Sequence, residues 1–199
     1  MSSQPPSSIE IEFAEHCDRE HARVCGDTRP PGVMQRLASW RDERLVRHAL
    51  KVAGEPGLIL DLACGSGRFW PVLAEHVNRV ILASDNSQDM LDHACTHHPA
   101  ALLKRVKTFQ GSAFAIGLSA NAVDCIFCLE LFRHVPSSDV RQALLREFHR
   151  VSRDTVIVSV NSRTAVEDEF RQAGFKVLNH QEFMPGSKLW RVYVLRKTG

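Results

Sequence analysis

An acid followed by a glycine-rich turn, in the segment LILDLACGSG at residues 58–67, holds the side chains with the clearest chemical potential. Asp61 ends a short apolar run, and Gly65 and Gly67 follow just before a segment of helical character. This order predicts a buried strand, a tight turn and the beginning of a helix. Glycines allow unusual backbone angles and let a ligand approach the main chain, so we expect a nucleotide-type ligand at the strand end.

The same turn limits which nucleotide can bind. A dinucleotide fingerprint needs a third glycine where this chain has Trp70, and a pyrophosphate would be repelled by the nearby Asp61. A carboxylate instead suits a ligand that carries an ammonium or sulfonium group. S-adenosylmethionine (SAM) carries both groups. A nicotinamide-dependent oxidoreductase is the least favoured interpretation, because Trp70 replaces the third glycine.

Several segments resemble class I SAM-dependent methyltransferases. Residues 61–67 resemble the glycine-rich motif of that family, and residues 78–85 resemble its second strand, which ends in an acid 24 residues after Asp61. Residues 123–136 (VDCIFCLELFRHVP) are similar to the fourth strand and following loop of quinone O-methyltransferases and their relatives. The resemblance extends over roughly residues 55–199.

The resemblance implies a set of cofactor-binding residues. The glycine-rich turn would line the methionine half of SAM, the acid ending the second strand would hold the ribose, and the FQGSA segment would lie near adenine. The loop after the fourth strand would face the cofactor. The implied residues are Asp61, Ala63, Cys64, Gly65, Gly67, Asp85, Asn86, Met90, Gly111, Ser112, Ala113, Leu129 and Glu130.

Some of these positions have structural alternatives or depart from the family pattern. Asp85 could instead cap the next helix, although its spacing favours the ribose, and residues 111–113 could be a plain loop. Ala63 replaces a glycine often seen in the turn, and Ser112 stands where many relatives have an Asp for the adenine amino group. Asp154 is expected to make the turn that relatives build from two glycines.

His134 is the candidate catalytic residue. It follows the fourth strand, beside the expected methyl position, and histidine titrates near neutral pH as a general base requires. It could instead order the loop before Pro136, or share a divalent ion with Glu130 at i, i+4 spacing. Arg133 between the two argues against the ion, and no metal site is predicted.

The segment before the first strand is the predicted substrate-recognition region. Residues 16–47 contain seven arginines and no lysine. A solvated helix face is the ordinary explanation, and an arginine fork for a substrate carboxylate or phosphate is the functional hypothesis. The side chains considered are His16, His21, Arg23, Arg29, Arg36, Trp40, Arg41, Arg44 and Arg47. No long insertion follows the fifth strand, so any lid would come from the N-terminal helices.

Short β-type runs alternate with helical runs from Leu58 onward, which predicts a parallel sheet with helices on both faces. Strands are predicted near 58–62, 79–84, 105–109, 123–129 and 155–160, and helices near 68–77, 87–97, 138–151 and 164–173. Residues 175–179 and 189–196 predict a hairpin. The expected fold class is α/β, a Rossmann-like, doubly wound, seven-stranded, mostly parallel sheet with an antiparallel C-terminal strand and N-terminal helices.

The length of 199 residues fits one domain with two N-terminal extensions. Residues 1–8 are expected to be a disordered tail. Residues 9–54 are expected to form a helical cap, with one helix at 9–25, a turn cluster at 26–32 and a second helix from Val33 to near Gly54. The SAM-binding domain would then occupy residues 55–199.

Composition limits the partners and the compartment. With 25 basic and 23 acidic residues the chain lacks the basic stripe expected of a nucleic-acid partner. No apolar stretch approaches the ~18 residues of a membrane span, and the polar N-terminus is no signal peptide, so a cytoplasmic protein is expected. Cys125 and Cys128 lie in a predicted strand and are expected on its opposite faces, in the core.

The favoured function is methyl transfer from SAM to an oxygen or nitrogen of a small molecule. RNA or protein methylation, and a non-catalytic SAM-binding module, are the alternatives. The fourth strand is followed by CLEL rather than by the Asn/Asp-Pro-Pro-aromatic motif of nucleobase N-methyltransferases.

Overall fold

The computed structural model describes residues 33–135, 137–161, 165–184 and 187–198. Residues 1–32 lie outside this part of the chain, and with them the expected tail, the helix at 9–25 and the turn cluster. The expected beginning of a helix at residue 164 and Pro136 lie outside it as well.

Seven strands form one sheet in the order β3-β2-β1-β4-β5-β7-β6. They are β1 (Leu58–Leu62), β2 (Val80–Asp85), β3 (Val106–Gln110), β4 (Val123–Cys128), β5 (Ser152–Asn161), β6 (Phe175–Met184) and β7 (Ser187–Lys197). Strands β1 to β5 pair in parallel, whereas β7 runs antiparallel to both β5 and β6. The predicted fold class, with its reversed C-terminal strand, is confirmed.

Six α-helices and one 3₁₀ helix accompany the sheet in the described residues. They are α1 (Val33–Val52), α2 (Trp70–Leu73), α3 (Gln88–His97), α4 (Ala100–Leu103), the 3₁₀ helix (Phe132–His134), α5 (Ser138–Val151) and α6 (Glu167–Gln172). The predicted bounds of α3 and α5 hold to within one residue, and α4 was not predicted.

The helix predicted at 68–77 is wrong in length, because α2 is a single turn. Arg79 Nη1 donates to the carbonyl of Leu73, and Arg105 donates to the carbonyls of Ala74 and His76. Guanidinium groups from outside the helix thus take carbonyls that a longer helix would bond to its own N–H groups.

The turn predicted at Asp154 is also wrong. Helix α5 ends at Val151 and β5 begins at Ser152, so Asp154 lies within the strand. The pairing of β4 with β5 also shifts register between Val123 and Cys125, close to the beginning of β5.

Apolar layers cover both faces of the sheet. One face packs against α5 and α6, with Leu144 and Phe148 in that layer, and the other packs against α1, α2 and α3. Cys128 belongs to the first layer and Cys125 to the second, which confirms the prediction of opposite faces in the core. Burial raises the pKa of each thiol to about 12.

A buried ion pair joins α5 to α6. Arg141 donates to both carboxylate oxygens of Glu169, Nε to Oε2 at 2.8 Å and Nη2 to Oε1 at 2.6 Å, and Ser138 Oγ donates to Oε1 at 2.9 Å. Burial acts to raise the pKa of Glu169, but these hydrogen bonds outweigh it and hold that pKa below its usual range. Arg141 Nη1 also donates to the carbonyl of Val135, which fixes the loop after β4.

Replacing Arg141 with alanine is expected to lower the free energy of unfolding by about 3–5 kcal/mol, because Glu169 would stay buried without its cation. Urea unfolding would measure the change. The control is Arg171→Ala, which breaks the exposed pair between Arg171 and Asp168 of α6 and should cost less than about 1 kcal/mol. Equal effects of the two substitutions would contradict the prediction.

No helix in the part of the chain that the structure describes is long and apolar enough to cross a membrane.

Candidate active site

The predicted site segments meet at the carboxyl edge of the sheet. The strand order reverses between β1 and β4, and Asp61 of β1 lies opposite Phe127 of β4 in the register. On the other side, Leu62 pairs with Ser84 of β2, and Asp85 pairs with Gln110 of β3. In doubly wound sheets, ligands bind in the crevice at this reversal.

Asp61 is a buried acid at the centre of this edge. It is 4% exposed, and the indole Nε1–H of Trp70 donates to its Oδ2 at 3.1 Å. Burial raises the pKa of Asp61 to about 8; the Trp70 hydrogen bond opposes the rise, and the charges of Asp85 and Glu130 add to it. A cation that reaches this carboxylate would favour its ionised form.

The turn after Asp61 folds over the Trp70 ring. Ala63, Gly65 and Gly67 all have left-handed backbone angles, with φ of +58°, +52° and +70°. A Cβ at Gly67 would lie 2.5 Å from the Trp70 ring, whereas one at Gly65 would come no closer than 3.7 Å to Met90. Trp70, which replaces a third glycine, therefore packs against the turn at Gly67 and donates a hydrogen bond to Asp61.

The buried carboxylate of Asp85 joins two turns. It is 1% exposed, its Oδ2 accepts from the N–H of Gly65 at 2.8 Å, and its Oδ1 accepts from the N–H of Ser87 at 3.0 Å. Ser87 caps α3, since its Oγ accepts from the N–H of Met90. The alternative interpretation of Asp85 as the helix cap is therefore wrong.

The segment near Gly111 adjoins the same turns. The N–H of Gly111 donates to the carbonyl of Asp85 at 3.0 Å, and Gln110 Nε2 donates to the carbonyl of Asn86 at 2.8 Å. Ser112 Oγ accepts from the N–H of Phe114 at 3.1 Å, so this hydroxyl keeps its hydrogen for another acceptor. Ala113 is half-buried beside it.

Two further cofactor candidates, Cys64 and Leu129, form backbone hydrogen bonds with neighbouring segments. The N–H of Cys64 donates to the carbonyl of Ser84 at 3.1 Å, and burial raises the pKa of the Cys64 thiol far above its usual range. The carbonyl of Leu129 accepts a short hydrogen bond from Ser159 Oγ. Both residues thus link β1 and β4 to their neighbouring strands.

A chain of charged contacts follows β4. Arg133 Nη2 donates to Glu130 at 2.6 Å, and Arg133 Nε donates to His134 Nε2 at 3.0 Å. Nε2 accepts a hydrogen bond in this arrangement, and a base acting through it must first lose that hydrogen bond. Arg133 also stands where an ion shared by Glu130 and His134 would lie. Among the described residues there is no cluster of three or more His, Cys, Asp or Glu side chains that could hold a metal.

The arginine-rich candidates divide into two groups. His16, His21, Arg23 and Arg29 lie outside the described residues. On α1, Arg36 is exposed, the Arg44 guanidinium lies 5.8 Å from the ring of the exposed Trp40, and Arg47 binds Glu43 and Glu75. Arg41 is half-buried. The solvated helix face thus describes Arg36 and Arg44, while the substrate fork stays a prediction.

One contact at this edge was missed by reasoning from the sequence. Asp42 of α1 is buried and accepts a hydrogen bond from Arg68, the residue directly after Gly67. Polar residues on an amphipathic helix normally face solvent, and the pattern of α1 gives no sign that this acid turns inward.

Comparison with known proteins indicates the class. Residues 59–155 match the family model described as a methyltransferase domain. Together with the sheet order and the reversed β7, this match supports a class I SAM-dependent methyltransferase, the class whose cofactor is SAM.

Solved structures share the fold at low sequence identity. Magnesium protoporphyrin IX methyltransferase from Synechocystis PCC 6803, with bound S-adenosylhomocysteine (SAH), is 17% identical with a TM-score of 0.74, covering 96% of this chain and 98% of that one. A putative sarcosine dimethylglycine methyltransferase from Galdieria sulphuraria is 15% identical with a TM-score of 0.67, covering 82% and 88%. The cyclase SpnF is 15% identical with a TM-score of 0.69, covering 100% and 99%. A search of curated proteins finds no match to the chain.

Proposed function

We propose that this methyltransferase acts on an oxygen or nitrogen of a small-molecule acceptor. The observation that carries the cofactor half of the proposal is the buried Asp61, held by Trp70 at the reversal of strand order, where an acid suits the ammonium end of SAM. The balanced charge of the chain supports a small acceptor over a nucleic acid. Two structural neighbours are named after small molecules, magnesium protoporphyrin IX and sarcosine or dimethylglycine.

In this proposal the cofactor lies across the turns that follow β1, β2 and β3. Asp61 takes the ammonium group, and Ala63, Cys64, Gly65 and Gly67 offer their backbone to the methionine half. Each carboxylate oxygen of Asp85 already accepts one backbone N–H and keeps a lone pair for a ribose hydroxyl. The remaining contacts come from Asn86 and Met90, from Gly111, Ser112 and Ala113 near adenine, and from Leu129 and Glu130.

The chain contributes mainly orientation to the reaction. SAM supplies a methyl group bonded to a sulfonium, and an acceptor held in line with that bond gains an effective molarity of ~10⁵ M or more. Glu130, Arg133 and His134 lie on the loop after β4, where the acceptor would enter. A base is required only for an acceptor that does not ionise by itself.

Calorimetric titration with SAM and SAH tests the cofactor half of the proposal. We expect micromolar binding, and a Kd at least about tenfold higher in Asp85→Asn, because charge-assisted hydrogen bonds of ~1.5–3 kcal/mol are lost. The matched control is Asp89→Asn, which changes an exposed acid in the first turn of α3 and should bind as the native chain does. Failure of the native chain to bind either ligand would overturn the proposal.

A turnover assay tests the acceptor half, since SpnF shows that a protein named as a cyclase can share the fold. Phenols, carboxylates and amines would be incubated with SAM, and SAH release measured. We expect methylation of at least one of these classes. Methylation of RNA or peptides alone would contradict the small-molecule acceptor.

His134→Gln distinguishes the two interpretations that the sequence leaves open. If His134 is a general base, kcat should fall by about 10²-fold or more while SAH binding stays unchanged. If His134 only orders the loop after β4, the variant should have a lower thermal midpoint and a kcat within a few-fold of the native value.

A further inference from the structure

A buried carboxylate on α1 contacts the glycine-rich turn from outside the matched domain. Asp42 is 4% exposed, and Arg68 Nη2 donates to its Oδ2. Its other oxygen, Oδ1, is buried and has no hydrogen-bond partner among the described residues. Burial raises the pKa of Asp42, and the charge of Arg68 opposes that rise. A carboxylate in this condition costs folding free energy, so its presence calls for an explanation.

The Arg68 side chain has three neighbours and is still partly exposed to solvent. Asp42 binds one end of the guanidinium, Glu130 lies 4.0 Å from Nη1, and the Phe69 ring centroid lies 5.0 Å from the guanidinium carbon. The side chain nevertheless remains 44% exposed. The charge of Glu130 is a minor contribution to the raised pKa of both Asp42 and Asp61.

We propose that Asp42 is a positioning residue that holds Arg68 to receive the carboxylate of the amino-acid end of SAM. The inference rests on the proposed role of Asp61. The amino-acid end of SAM carries an ammonium and a carboxylate, and Asp61 and Arg68 offer opposite charges at the two ends of one turn. A guanidinium suits the carboxylate because its donors match the two oxygens. Helix α1 would thereby take part in cofactor binding.

A purely structural role, in which the pair only fastens α1, has a different physical signature. Helix α1 is already attached by buried apolar side chains such as Val46 and Leu50. It is also attached by Arg47, whose Nη2 donates to Glu75 Oε1 at 2.7 Å. Since Asp42 has one orphaned oxygen, Asp42→Asn removes a buried charge and should not lower the thermal midpoint.

The experiment compares two ligands that differ only at the amino-acid end. Calorimetry would measure SAH and 5′-methylthioadenosine, which lacks that end, against the native chain, Asp42→Asn, Arg68→Gln and the double variant. Each single substitution is expected to raise the Kd for SAH about tenfold, as for a lost charge-assisted contact, and to change the Kd for 5′-methylthioadenosine less than about twofold. The double variant is expected to bind SAH no more weakly than Arg68→Gln alone, because Asp42 acts through Arg68.

Glu75→Gln is the matched control, because it breaks the other ion pair of α1 and should leave the Kd for SAH unchanged. Native SAH binding by Asp42→Asn would overturn the inference. Equal weakening of both ligands would overturn it as well, because that result indicates a general loosening of the site. If the native chain binds neither ligand, the proposed function fails rather than this inference alone.

Discussion

Replacing Asp61 with asparagine is expected to remove tight binding of SAM and SAH while raising the free energy of unfolding of the unliganded protein. The pKa of Asp61 is about 8 in the fold, against 3.8 as its ordinary value. Ionisation therefore costs folding free energy, and stability contributed by the protonated acid is lost as the pH rises from about 4 to about 8, at about 1.4 kcal/mol per unit. Asparagine keeps an oxygen for the indole of Trp70 and does not ionise.

Near pH 8 the Asp61→Asn variant should exceed the native chain by a few kcal/mol in free energy of unfolding, and the difference should shrink toward pH 4. Urea unfolding across this range would measure it. Binding of SAM should strengthen with pH up to about 8 in the native chain, because the ligand requires the ionised acid. The variant should show no such rise.

Trp70→Phe is the companion to this substitution, since it keeps the acid and removes the donor that lowers its pKa. Its affinity for SAM should recover only at a higher pH than in the native chain. A variant Asp61→Asn that is less stable than the native chain at pH 8, or that binds SAH equally well, would contradict the account of the buried acid.

Gly67→Ala is expected to cost about 2–4 kcal/mol in free energy of unfolding. Gly67 has a φ of +70°, where an L-residue is strained by ~1–2 kcal/mol. Its new Cβ would also lie 2.5 Å from the Trp70 ring, and overpacking of a buried site adds ~1–3 kcal/mol. Because Trp70 holds Asp61, the substitution should also weaken binding of SAH.

Two other glycines separate the causes of this loss. Gly54 has a φ of +83° but open space around its Cβ position, so Gly54→Ala should cost only the backbone strain of ~1–2 kcal/mol. Gly117 has open space and no left-handed backbone angle, so Gly117→Ala should be neutral or stabilise by up to ~1 kcal/mol. Denaturant unfolding of the three variants should rank them Gly67, Gly54, Gly117 in decreasing cost, and equal losses at Gly67 and Gly54 would exclude the clash with Trp70.

The first four strands could be predicted closely because their signals are local. The strand predicted at 58–62 coincides with β1, and β2, β3 and β4 begin and end within one residue of the predicted bounds. Strand β5 begins earlier than predicted, at Ser152, and β6 continues beyond the predicted end, to Met184. The length of α2 could not be predicted, because Arg79 and Arg105, which directly precede β2 and β3, donate to the carbonyls of Leu73 and Ala74 at its end. The Asp85 cap failed for a related reason, since Ser87 supplies that contact two residues later.

The sequence by itself determined the parallel sheet, the reversed last strand and the position of the glycine-rich turn. Periodicity, turn residues and acid spacing are local features of the sequence, so they do not depend on which distant residues come into contact. Only the tertiary structure decided how the charges pair. Trp70 binds Asp61, Arg68 binds Asp42 of α1, and Arg133 lies between Glu130 and His134. The physical reason is that a side chain's partner depends on which elements pack together, and the raised pKa of Asp61 follows from burial that no single segment specifies.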